Sequence, residues 1–160
     1  MNISSPVTDP VTPLAAAPAI LVAANLLLPP LERGQSVNTA VLRSAVETAF
    51  GASDASGAWD WKLAYEAGEV ATVLFLRKYG KALFRKAGSP VSRLDALTKI
   101  AGLLPTQTRR SEESQSFQQF STPLPLGLAA LAAAAITPDD VVLEPSAGTG
   151  LMAILAQTAG

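Results

Sequence analysis

Residues 141–160, VVLEPSAGTGLMAILAQTAG, constrain the fold more than any other stretch of this 160-residue chain. VVL is apolar throughout, as a central parallel strand covered on both faces should be. The turn PSAGTG follows it, and LMAILAQTA then reads as an apolar helix. Upstream, Pro123 and Pro125 introduce the Ala/Leu-rich helix LGLAALAAAAI, and Thr137-Pro138-Asp139-Asp140 turns the chain into VVLE. Helix, turn, strand, glycine loop and helix make the opening of a doubly wound α/β unit. In such units ligands bind beyond the carboxyl ends of the strands. Gly148 and Gly150 lack a Cβ, so the backbone there can turn tightly and admit a ligand against it. Glu144 places a carboxylate at the same edge.

The loop excludes some ligands. A phosphate-cradling P-loop reads G-x-x-x-x-G-K-[ST], and no Lys follows these glycines, so triphosphate binding is not expected here. Gly148, Gly150 and Ala153 fit the dinucleotide spacing G-x-G-x-x-G/A. The acidic ribose partner of that pattern stands ~20 positions later, past Gly160. Spacing alone therefore leaves open NAD-type binding, another nucleoside cofactor, or a purely structural turn. The chain has no Cys and no His. That excludes thiol nucleophiles, disulfides, imidazole bases and nearly every zinc site, and no metal is expected. It also permits a reducing compartment.

Residues 1–35 read as a flexible and then apolar N-terminal segment. Positions 11–31 carry no charge, but Pro18 interrupts the run and Pro29-Pro30 close it. The clean stretch AILVAANLLL is shorter than the ~20 residues a bilayer span needs. No Lys or Arg precedes it, as a signal peptide would require. A short buried helix is expected, with no membrane insertion. Residues 36–104 read as a helical domain. Ser36 is the expected N-cap of VNTAVLRSAVETAF, with Val37, Val41, Ala45 and Val46 on one face and Gly51 at its end. A second helix runs from WDWK to Lys86 through Leu63, Ala67, Val70, Leu74 and Phe75, with Gly80 a candidate break. A third follows Ser89-Pro90 and runs to Pro105. Residues 105–119, PTQTRRSEESQSFQQ, form a polar linker, and residues 120–160 make the second unit.

Net charge is −1, but it is unevenly spread. Nine of the twelve Lys and Arg residues lie between Arg77 and Arg110, with Asp95 the only acid among them. Arg77, Lys78, Lys81, Arg85 and Lys86 are candidates for holding nucleic-acid phosphates. A solvated helix face, with cations favourably near the helix C-terminus, is the alternative.

VLEPSAGTG resembles motif I of S-adenosylmethionine-dependent methyltransferases, above all the amino-methylating DNA adenine enzymes. Gln119-Phe120-Ser121-Thr122-Pro123 resembles the phenylalanine and threonine-proline element that these enzymes carry upstream of the motif. The resemblance implies that S-adenosylmethionine is held by Phe120, Ser121, Thr122, Pro123, Glu144, Pro145, Ser146, Ala147, Gly148 and Gly150. With GAWDWKLAYEAGEVATVLFLRKYG added, residues 36–160 resemble the start of strawberry-notch-like proteins. Those are large phage- and bacterium-associated chains joining a methyltransferase-like domain to a superfamily 2 helicase-type NTPase. No NPPY-like tetrad, Walker Lys or Asp-Glu box occurs here.

The resemblance therefore implies an N-terminal fragment that is mainly α. A helical domain would be followed by the first β-α unit of a truncated Rossmann-like methyltransferase domain. No catalytic residue is expected among these positions. The missing methyltransferase/helicase portion and DNA are the expected partners, and the cytoplasm the expected location. A helical interaction module is the competing expectation.

Overall fold

The computed structural model describes residues 13–107 and 121–159. Among the described residues it is mainly helical, with six α-helices and no β-strand. The helices are α1 (Pro13–Glu32), α2 (Thr39–Phe50), α3 (Trp61–Ala87), α4 (Pro90–Ala101), α5 (Leu124–Ala134) and α6 (Leu151–Ala159). A 3-10 turn, Asp54–Ser56, lies between α2 and α3.

Helix α1 is longer than its prolines suggest, running unbroken through Pro18, Pro29 and Pro30. An interior proline removes one backbone donor and crowds the preceding turn. Here tertiary packing outweighs that cost. Ala16, Ile20, Ala23, Ala24, Leu27 and Leu31 recur at helical spacing and are buried in one core with Ala64, Ala67 and Ala71 of α3. Pro29 and Pro30 fall in the last turn, and their carbonyls accept the bonds from Arg33 N and Gln35 N that close the helix. No helix among the described residues is long and apolar enough to cross a membrane.

Helix α2 is capped by Asn38 rather than Ser36. Its side chain accepts the N–H of Val41 at 2.9 Å. The buried face is Leu42, Ala45 and Val46, while Val41 is exposed. Val37 precedes the cap, is buried, and donates its N–H to Leu103 O at 2.7 Å. That bond ties the start of α2 to the end of α4, a tertiary partner that no local pattern encodes. Gly51 ends the helix at φ 67°, where a side chain would be strained.

Helix α3 is the spine. Asp60 caps it by accepting Leu63 N at 2.9 Å. Trp59 anchors its entry, buried with its Nε1 donating to Ala52 O at 2.9 Å. Gly80 does not break the helix; it is buried where α6 crosses, and a Cβ there would lie 2.8 Å from Thr158 Oγ1. The N-terminal half of α3 shares a core with α1 and α2. Its C-terminal half contributes Leu76 and Phe84 to a second core. That core also contains Leu97 and Ile100 of α4, Leu124 and Leu131 of α5, and Leu151, Ile154 and Leu155 of α6. Residues on either side of positions 105–119 thus pack together. Helix α4, capped by Ser89 on Ser92 N, ends at Ala101 instead of reaching Pro105.

The expected strand is not formed. Residues 141–144 have no regular secondary structure. Val141 and Leu143 are 100% and 87% exposed. A strand exists only through a ladder with a neighbour, and among the described residues no second strand offers one. The mainly helical fold stands, while the β-α unit is not seen.

Candidate functional site

The glycine loop is shaped by its own backbone. Gly148 and Gly150 sit at φ 51° and 87°. Gly150 N donates to Ala147 O at 2.7 Å, and Gly150 O accepts Ile154 N at 3.0 Å to start α6. Glu144 is folded back onto this loop, its Oε1 accepting the N–H of Ser146 at 3.0 Å. Thr149 reaches away from it. Its hydroxyl donates to Oε2 of Glu69 on α3 at 3.1 Å, and Oε1 of the same carboxylate accepts Gln107 Nε2 at 2.6 Å. One side chain on α3 therefore ties the glycine loop to the start of the polar segment.

A cleft of about 390 Å³ lies at this junction, lined by Glu69, Thr72, Ser121, Thr122, Pro123 and Leu151 among others. Thr72 is buried, its hydroxyl donating to Gly68 O at 3.2 Å. A second cavity, of about 370 Å³, is lined by Lys81, Thr137, Asp140, Glu144, Ala153 and Gln157, with further residues. Asp140 is held by its own turn there: Oδ2 accepts Thr137 N at 2.7 Å and Thr137 Oγ1 at 2.9 Å. Those bonds, the backbone one first, draw its carboxyl below the usual range.

The expected cofactor residues are therefore divided. Ser121, Thr122 and Pro123 share the first cleft with Leu151, the residue that follows the glycine loop. Glu144 lines the second cavity beside Lys81. Helix α6 separates them, presenting Leu151 to one and Ala153 and Gln157 to the other. Pro145, Ser146, Ala147 and Gly148 are exposed and line neither. Phe120 lies outside the described residues. The Ser121–Pro123 element and Glu144 therefore do not share one cavity. Among the described residues no group of three His, Cys, Asp or Glu is arranged to hold a metal ion.

The five basic candidates are all exposed and lie on the second half of α3. Arg77, Lys81 and Arg85 follow i, i+4 spacing and share a face. Lys78 is engaged elsewhere, its Nζ 2.7 Å from Glu32 Oε1, with Tyr79 Oη donating to the same oxygen at 3.0 Å. The Glu32 hydrogen bond raises the Lys78 pKa, and the Lys78 hydrogen bond lowers that of Glu32. Lys81 belongs equally to the cavity that holds Glu144.

Glu69, Thr72 and Gln107 are the residues that sequence reasoning missed. Glu69 reads locally as one of the acids balancing the basic end of its helix. Its signal is an i, i+3 pairing with Thr72 beside the small residues Gly68 and Ala71, which places two polar groups next to a packed face. Compared with protein-family models, with curated proteins and with solved structures, the chain matches none.

Proposed function

We propose that these residues form the donor-side wall of an S-adenosylmethionine-dependent methyltransferase of the DNA N6-adenine type, joined in the whole protein to a helicase-type NTPase. The observation that carries this reading is the first cleft. It gathers Ser121, Thr122 and Pro123 with Leu151, the residue that follows PSAGTG, and this supports the reading. In this reading residues 141–144 become the first strand of a Rossmann-like sheet, whose other strands come from outside residues 1–160. The cofactor supplies the methyl group. The chain's own part is to bind and orient it, because alignment of donor and acceptor amine matters more than a strong base. A target adenine would have to leave the base stack to reach such a site. Arg77, Lys81 and Arg85 would hold the phosphates, without reading sequence.

The 160 residues alone are expected to have no methyltransferase or NTPase activity. The test is calorimetric titration of S-adenosylmethionine into two chains. One is these 160 residues; the other is the same residues followed by about one further domain of their reading frame, ~150 residues. Binding measurable by calorimetry in the longer chain supports the proposal. Absence of binding in both overturns it in favour of a helical interaction module. The exposed, unpaired Val141–Leu143 segment also suits that second reading.

A further inference from the structure

Resting on that reading of the cleft, we infer that Glu69 on α3, rather than Glu144 of the glycine loop, is the carboxylate that faces the ligand and selects a cationic one. Three observations meet at this residue. Glu144 lines a different cavity and spends one oxygen on its own loop. Glu69 is the sole charged residue among the described residues lining the cleft that holds Ser121, Thr122 and Leu151. Its two oxygens are also anchored, one by Gln107 at 2.6 Å and one by Thr149 at 3.1 Å.

An ionised carboxylate offers about four lone-pair sites, and these two bonds use two of them. The remaining sites accept from a ligand ammonium or attract a sulfonium without either anchor being released. The half-buried side chain stays in contact with water. The sign of the charge then decides the ligand class. A carboxylate in the cleft repels pyrophosphate, so a nicotinamide dinucleotide is disfavoured. S-adenosylmethionine carries a sulfonium and an ammonium against one carboxylate and is favoured. S-adenosylhomocysteine, which lacks the sulfonium charge, falls between them. Thr149 gives the same carboxylate a second role, because its hydroxyl ties the glycine loop to α3.

The test is an amide chemical-shift titration of the 160-residue chain, a method that detects millimolar binding. The probes are S-adenosylmethionine, S-adenosylhomocysteine and NAD. Shifts are expected at the Thr122 and Leu151 amides with S-adenosylmethionine, about tenfold weaker binding of S-adenosylhomocysteine, and none with NAD. Glu69→Gln should lower affinity for S-adenosylmethionine about tenfold or more, as loss of a charge-assisted hydrogen bond does, and erase the preference between the two adenosyl ligands. Thr149→Val leaves the carboxylate in place and should keep that preference.

Unchanged binding by Glu69→Gln would overturn the role of Glu69 while leaving the cleft as the binding place. Shifts absent from Thr122 and Leu151 in the unsubstituted chain would overturn the site itself, whereas the methyltransferase reading is judged separately by the longer chain. Salt supplies a test that needs no variant. Raising it should weaken S-adenosylmethionine more than S-adenosylhomocysteine, and an equal effect on both would rule out charge selection.

Discussion

Replacing Gly80 by alanine tests whether α6 docks on α3, the contact that joins the two halves of the chain. In an isolated helix this change is favourable by about 1 kcal/mol, because glycine is the costlier helix residue. In the folded protein the new Cβ would stand 2.8 Å from Thr158 Oγ1 and 2.9 Å from its Cγ2. Thr158 cannot easily turn aside. It is β-branched and 7% exposed, and its hydroxyl donates to Ile154 O at 2.7 Å. Overpacking of this kind costs roughly 1–3 kcal/mol, so the net change is a loss of roughly 0–2 kcal/mol. Each kcal/mol corresponds to roughly 2–4 °C in Tm for a chain of this size.

The sign should reverse once Thr158 is cut to alanine. The nearest atom is then its Cβ at 3.5 Å, an ordinary contact. In that background Gly80→Ala should stabilise by about 1 kcal/mol, giving a coupling of roughly 1–3 kcal/mol in a double-mutant cycle. Urea unfolding of the four proteins measures it. Should Gly80→Ala stabilise equally with and without Thr158, the docking of α6 on α3 would be refuted.

Other outcomes follow from single contacts. Asp60→Ala removes the cap of α3 and should cost about 1 kcal/mol in urea unfolding. Glutamate at both Val141 and Leu143 should change stability by less than about 0.5 kcal/mol, since both are exposed; a loss of several kcal/mol would place them in a packed sheet. Burial first of all raises the pKa of Glu66 above its ordinary 4.5. Its contribution is therefore fully present below the unfolded pKa and lost as pH rises through the folded value. Glu66→Gln should raise Tm relative to the unsubstituted protein at pH 7, by a margin that closes on going to pH 4. In a longer chain that binds DNA, charge reversal at Lys81 and Arg85 should weaken binding and flatten its salt dependence; an unchanged slope would leave that face merely solvated.

Much of the local structure was legible because its causes are local. Ser89-Pro90 before an amphipathic run and Gly51 after one mark helix ends through their own side chains or their lack of one, whereas the helix expected from WDWK starts only at Trp61, with Asp60 as its cap. Errors arose wherever a distant partner decided. Ser36 looks like the cap of α2, but Val37 is pinned to Leu103, the cap is Asn38 and Val41 faces outward. Pro18 and Pro29-Pro30 looked like breaks, yet packing against α3 carries α1 through them. Of the candidate site, the Ser121–Pro123 element and the glycine loop were identifiable by residue type. The division of Glu144 from Thr122 was not, because it depends on which face α6 turns to each cavity.

The sequence by itself determined that the chain is mainly helical, that its positive charge gathers on the second half of α3, and that chemistry needing His or Cys is absent. These follow from composition and from a period that each segment carries within itself. Tertiary structure alone decided what VVLE does and which carboxylate lines the cleft. A strand is a relation between two segments, so three apolar residues without a pairing neighbour stay exposed and irregular. Glu69 stands 80 residues from Thr149 in sequence and 3.1 Å from it in space. Only the crossing of α3 and α6, held by buried small residues such as Gly80, brings the two together.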